Sequence, residues 1–369
     1  MMAYEKVTGV KLAEAAGQVN VSRDRNTGRG GGKDWKPGQL TDMRRKAFNA
    51  AVGALAVGGY LGEPVSRLID STGRAVTPAV PDGLDVVQLE QFSELLVGLD
   101  MRYGGGLVGQ MAKAVLRWAV PMLDAGGAGE DVQRRLHAVV GAIAHRAGWA
   151  AFDVGGHEAA RSLFRFALYA AAVGEDHDLR GHVLADVAAQ HNQLGYRRDA
   201  LDLIRLGEGD ERIAPAVRVV LHGVKARTYG CLGEVDACRA QVEAADAVFD
   251  RCRPGEPGWV GRLAHPARLL AITGHALADL AGHTGDDADR GEAVDRLSKA
   301  VDQFDAEVHA RARALCVTRL AVLRAASSDP DEAASWTGWL REKLPPGPSI
   351  RSERLSAAAA MVADRSEED

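Results

Sequence analysis

Three observations predict an all-α fold, a right-handed superhelix of stacked antiparallel helix pairs. Only 5% of residues are aromatic while alanine abounds, a composition that suits closely packed helices. No segment alternates apolar and polar residues over a useful strand length. Small residues recur with a period of 38–40, the mark of an array of like units. The chain has 369 residues, 46% apolar and 26% charged, the balance of a folded protein with two domains or one elongated array.

Residues 1–42 read as a basic, flexible head or linker, with Gly28, Gly30, Gly31, Gly32, Pro37 and Gly38 among polar residues and no apolar period. The formal net charge is −5, yet residues 1–50 carry ten Lys/Arg against five Asp/Glu, so a basic head precedes an acidic body. Lys6, Lys11, Arg23, Arg25, Arg29, Lys33 and Lys36 suit a solvated linker better than a phosphate-binding arm, because Trp35 is the one aromatic after Tyr4 in that stretch. Residues 43–83 read as an apolar docking helix and a linker. The uncharged run Ala47–Gly62 spans 16 residues, short of the roughly 20 that cross a bilayer. Arg44-Arg45 ahead of it looks like a twin-arginine export signal, but the pair lies more than 40 residues in and no clear small-x-small cleavage site follows. A helix docked on the body of a cytoplasmic protein, with no membrane partner, is therefore expected.

Residues 84–365 are continuously helical in pattern. Helices are predicted over Leu84–Tyr103, Leu107–Leu123 and Glu130–Val154, separated by Gly104–Gly106 and Gly126–Gly129. Beyond them, Gly155, Gly195 and Gly233 are each followed five residues later by a small residue (Ala160, Ala200, Cys238) and four after that by Phe164, Ile204 or Val242. A further small residue closes each set at Ala167, Gly207 and Ala245, and another lies seven before each turn glycine, at Gly148, Ala188 and Ala226. Looser units run through Gly274, Ala293, Leu297 and Ala300, with Gly282–Gly291 as an insertion expected to lengthen the turn, and through Ala321, Ala333 and Leu340. Small residues at helix crossings let backbones approach while the larger apolar residue fills the gap beside them. The period suits a tetratricopeptide-type repeat with helices or turns longer than usual. The end face of such a stack needs a cap, expected from Ser349–Ala363, and admits a homodimer.

The stretches Leu99–Gly106, Ala147–Gly155 and Ala159–Phe164, with the Arg44-Arg45-x-x-Phe48 segment ahead of them, resemble the C-terminal region of actinobacterial Xre-type helix-turn-helix transcriptional regulators that carry tetratricopeptide-like repeats. The resemblance covers about residues 40–365. It implies an intracellular regulator whose repeats receive a signal and whose N-terminal domain binds an operator. No helix-turn-helix is legible here, and Tyr4–Leu12 looks like the tail that follows one. DNA binding therefore calls for an upstream or partner helix-turn-helix; otherwise the chain stands alone as a repeat protein.

No P-loop, dinucleotide fingerprint, nucleophile elbow or H-E-x-x-H motif occurs, so neither an enzyme nor a cofactor is expected. Gly104–Gly106 lacks the strand before and the Lys-Ser/Thr after it that a phosphate loop needs. His137 and His145 are eight apart, and His177 and His182 five apart, neither being the i, i+4 spacing of a helical metal pair. Asp176-His177-Asp178 reads as a helix start. The four cysteines, with no C-x-x-C pair, read as small apolar fillers.

The repeat register nominates a binding surface. The first helix of each tetratricopeptide pair lines the concave groove at its second, fifth, ninth, twelfth and thirteenth positions. With Gly148, Ala188, Ala226 and Gly274 as eighth positions, those slots hold His145, Trp149 and Asp153, then His182, Asn192 and Gln193, then Arg227, then Arg268, His275 and Asp279. Such a groove suits a peptide, a small ligand or a partner protein. The arginines would hold a carboxylate, the amides would bond a peptide backbone, and Trp149 would pack an apolar group unless it belongs to the core. A constitutive scaffold without sensing is the competing expectation.

Overall fold

The computed structural model describes Pro78, residues 80–253 and residues 258–325. Among them are twelve helices and no strand: α1 (Gly83–Tyr103), α2 (Gly105–Leu123), α3 (Glu130–Asp153), α4 (His157–Val173), α5 (His177–Gln193), α6 (Arg197–Glu208), α7 (Pro215–Leu232), α8 (Val235–Phe249), the short α9 (Gly258–Leu263), α10 (Pro266–Thr284), α11 (Asp287–Gln303) and α12 (Ala310–Ala325). The basic head, the apolar run Ala47–Gly62, Ala333 and Leu340 of the fifth unit, and Ser349–Ala363 lie outside the described residues.

Local chemistry places the ends of these helices. Asp82 caps α1 by accepting from the backbone N–H groups of Leu84 and Asp85, and Asp85 accepts in turn from the Asp82 N–H at 2.9 Å. Asp176 and Asp286 cap α5 and α11 in the same way, while Pro215 and Pro266 open α7 and α10. The turn glycines named by the repeat, Gly155, Gly195 and Gly233, all hold φ between 73 and 87°. The chain can reverse there within two or three residues because glycine lacks the Cβ that disfavours the left-handed region.

The spacing of small residues becomes helix crossings. A Cβ on Gly148 would stand 2.9 Å from the Phe164 ring, the residue sixteen positions on in the same unit. In the fourth unit, a Cβ on Gly274 would stand 2.9 Å from Leu297 Cγ, which reproduces the same contact. The insertion in that unit corrects the sequence reading. The turn there is only Gly285-Asp286, and the seven extra residues lengthen α10 and α11 by about one turn each. Two added turns keep the crossing in register, whereas a long loop would have spent backbone hydrogen bonds on water.

Short connections make successive helices antiparallel, and each first helix also packs on the next. α1 lies against α3, α3 against α5, α5 against α7, α7 against α10 and α10 against α12, and α12 returns to α1. These six helices follow one another in a closed series of contacts, and α4, α6, α8 and α11 each pack on the helix before them. The apolar core runs in one body from Val86 on α1 to Val224 on α7, with Phe164, Phe166, Leu116 and Leu184 fully buried. A second body joins Ala226, Cys238, Ala276, Leu277, Leu297 and Leu320, so α7 is the seam between the two. Cys238 and Cys316 are buried, and burial pushes both thiols up to about 12, which leaves them apolar fillers. Among the described residues no helix is long and apolar enough to cross a membrane.

Candidate functional site

Charged residues of α1, α3, α5, α10 and α12 lie near one another. Asp100 on α1 accepts from Arg146 Nη1 at 3.1 Å and from Arg311 Nη1 at 2.9 Å. Arg311 also reaches Asp153, with Nη2 2.6 Å from Oδ1, and the other oxygen of Asp153 accepts from the Gly105 N–H at 3.4 Å. Asp153 is thus a buried joint between α3, α2 and α12 and not an open groove side chain, a correction to its expected role.

His145, one position before Arg146 on α3, is buried and pairs its Nε2 with Asp186 Oδ2 on α5 at 2.7 Å. Its ring meets that of His182 edge-on, with centroids 4.8 Å apart, and His182 stacks on Trp259 of α9 at 5.4 Å and 11°. Burial pushes His182 down to about 3, so its imidazole is neutral. Burial works the other way on Asp186, but His182, the His145 hydrogen bond and Arg146 outweigh it and hold this carboxylate below the usual range. Arg262 on α9 reaches across to Glu94 on α1 at 2.9 Å. Arg268, in the first turn of α10, is half-buried within electrostatic reach of Arg146, Asp186, Arg262 and Asp100.

A second group lies on α5, α7, α10 and α12. Asp279 on α10 accepts from Arg227 Nε of α7 at 3.0 Å and forms an ion pair with Arg319 of α12, Nη2 lying 2.8 Å from Oδ1. Burial works against that carboxylate, and Arg227, Arg319 and His275 outweigh it and hold Asp279 below its ordinary range. Asn192 on α5 is buried with its Nδ2 3.9 Å from Cys231 Sγ on α7, while Oδ1 has no hydrogen-bond partner among the described residues. Gln193 is half-buried beside it.

The fold places His145, His182 and Arg268 near one another, and Asn192, Arg227, His275 and Asp279 in a second group. Trp149 is half-buried, packs on the main core and stands 5.6 Å from the Phe152 ring, in line with its second reading. Sequence reasoning missed Arg146, Asp186 and Arg319, which all fall on the sixth position of their units when Gly148, Ala188 and Ala321 are eighth. A charged residue next to the fifth position of an otherwise apolar helix was the available signal. Asp100, Trp259 and Arg311 carried no such signal, because no repeat register covers α1, α9 or the start of α12.

The site is a set of fixed cations and carboxylates with stacked aromatic rings beside them, which suits recognition of a charged group. Among the described residues no group of three or more His, Cys, Asp or Glu side chains is arranged to hold a metal ion. No family model, no curated protein and no solved structure matches the chain.

Proposed function

We propose that this chain is a non-catalytic sensor module of tetratricopeptide-like repeats, wound as a right-handed superhelix, which binds a small ligand or peptide on its inner face. The observation that carries the reading is the convergence of His145, Asp186, His182, Trp259, Arg146 and Arg268 from four separate helices on one interior region. Buried charge is costly to assemble, and titratable groups shifted together in one place mark a candidate recognition site. The resemblance of Leu99–Gly106 and Ala147–Gly155 to the repeat region of Xre-type regulators supports a signalling role in the cytoplasm. In that role ligand binding changes the state of a helix-turn-helix supplied upstream or by a partner.

The test is a thermal-shift screen of the full chain against pools of small metabolites and short peptides. A ligand that binds the folded state raises the melting temperature with concentration, by RT ln(1 + [L]/Kd) in stability. His145→Ala should lose that shift and Arg198→Ala, at an exposed position of α6, should keep it. Pools that leave the melting temperature unchanged would sink the sensor and leave a constitutive scaffold.

A further inference from the structure

α1 is apolar on two sides. Val86, Leu89 and Leu96 face the core and are buried there. The opposite side carries Leu84, Val87, Phe92 and Leu95, which are 78, 41, 37 and 49% exposed. At about 100° per residue these four span a sector of roughly 140°, with Gln88 and Gln91 between them and no charge inside it. A helix that is apolar all round is one that is covered all round. The helices packed most closely on α1 are α2, α3 and α12, and they leave this row in water. Contiguous apolar surface of this kind marks a docking face.

The borders of the row carry acid. Glu90 and Glu94 are already held, by Arg135 at 3.1 Å and by Arg262 at 2.9 Å. At the start of the helix, Asp82 and Asp85 accept only backbone N–H groups, and no cation pairs with them among the described residues. Leu84, the most exposed member of the row, lies between these two carboxylates in the chain.

The chain carries a segment with the matching chemistry. Ala47–Gly62 is uncharged over 16 residues and includes Phe48, Val52, Leu55, Val57, Tyr60 and Leu61. Arg44, Arg45 and Lys46 stand directly ahead of it, opposite in charge to Asp82 and Asp85. Residues 63–79 separate the run from Val80 and span up to about 60 Å when extended, while the 21 residues of α1 cover about 31 Å. The run therefore reaches every position of the row. A tether of that reach sets an effective concentration on the order of millimolar, which a second copy of the chain at micromolar concentration does not match.

We infer that Ala47–Gly62 docks in cis on the outer row of α1, with Arg44–Lys46 beside Asp82 and Asp85. The test places the photo-crosslinker p-benzoylphenylalanine at Leu95 of the full chain. An equimolar mixture of 14N- and 15N-labelled chains is irradiated and the adducts are mapped by mass spectrometry. The adduct should join residue 95 to a peptide within residues 43–62 of the same isotope, and the crosslinker at Arg198, an exposed position of α6, should not reach that peptide. An adduct between unlike isotopes would assign the row to a second copy and overturn the inference. So would an adduct elsewhere in the chain, or none. A second measurement does not depend on photochemistry. Leu55→Asp and Leu95→Asp should each lower the melting temperature by a few degrees, and the double variant should melt no lower than the worse single one, because the contact can be lost only once. Losses that add in full would mean that the two segments do not touch.

Discussion

His182 carries the clearest consequence of burial at the scale of one side chain. Its unfolded imidazole titrates near 6.5, while in the fold it is held down to about 3. Below pH 6.5 the unfolded chain gains a proton that the folded chain refuses, so stability falls as pH drops from 6.5 toward 3 and is unaffected above 7. At pH 5 the loss from this residue is roughly 2 kcal/mol. Burial lowers His137, His265 and His309 in the same direction, which steepens the decline. His182→Phe retains an aromatic ring against Trp259 and should flatten the stability curve between pH 7 and 5 in urea titrations. An unchanged slope would remove His182 from the cause.

Asp210 shows the opposite sign. Burial alone would raise it, but the hydrogen bonds from Arg212 and the charges of Arg180 and His177 outweigh burial and hold it well below the carboxylate range. Arg212 Nε donates at 2.9 Å, His177 lies at 3.0 Å, and Arg180 contacts the same carboxylate. Its contribution is complete above about pH 4 and is lost as pH falls toward its folded value. Asp210→Ala leaves Arg180 and His177 facing a vacancy between α5 and the start of α7. It should destabilise the chain by about 3 kcal/mol, read by denaturant midpoint at pH 7. A loss within 0.5 kcal/mol would mean that the cluster is solvated in effect.

Helix packing depends on closeness at a few backbones. A Cβ on Gly230 of α7 would stand 2.6 Å from the Ala276 carbonyl oxygen and 3.1 Å from the Leu280 nitrogen on α10, and backbone cannot turn aside as a side chain can. Gly230→Ala should therefore cost about 1–3 kcal/mol despite the better helix propensity of alanine. Gly195 differs, because a Cβ there meets nothing within 4 Å and the strain is all in its φ of 87°. Gly195→Ala should cost about 1 kcal/mol and Gly195→Asn less, since asparagine tolerates that region. Equal losses for the two Gly195 variants in chemical denaturation would mean that backbone strain is not the cause. Most of this scale was legible in the sequence. The three turn glycines and the pairing of Gly148 with Phe164 follow from local rules of chain reversal and helix crossing. The fourth-unit insertion was misplaced, because the same seven residues can extend a loop or two helices and only packing against Leu297 selects between them.

Closure of the helix circuit rests on Arg311, which joins α12 to Asp100 on α1 and to Asp153 on α3. The two carboxylates are buried, so removing their shared arginine leaves Asp100 to Arg146 alone and takes an ion pair from Asp153. Arg311→Ala should cost about 3 kcal/mol, and amide exchange should quicken in α1 and α12 ahead of α5 and α7. Adding Asp153→Asn removes one of the two affected charges and should recover part of the loss. Uniform loss of protection across all helices would mean that α12 does not act as a latch.

The sequence by itself determined the helices, their caps and turns, the pairing of each unit, and half of the inward-facing charges, because these depend on residues a few positions apart. Tertiary structure decided which of those charges meet. Asp100 and Arg311 are 211 positions apart and become neighbours only when the last described helix returns to the first. Trp259 reaches His182 from a six-residue helix that has no periodic signature. Whether a buried arginine has a partner is likewise a fact of assembly. Arg227 and Arg268 occupy groove positions of the same register, and only the fold gives Asp279 to the first, while the second makes no ion pair among the described residues.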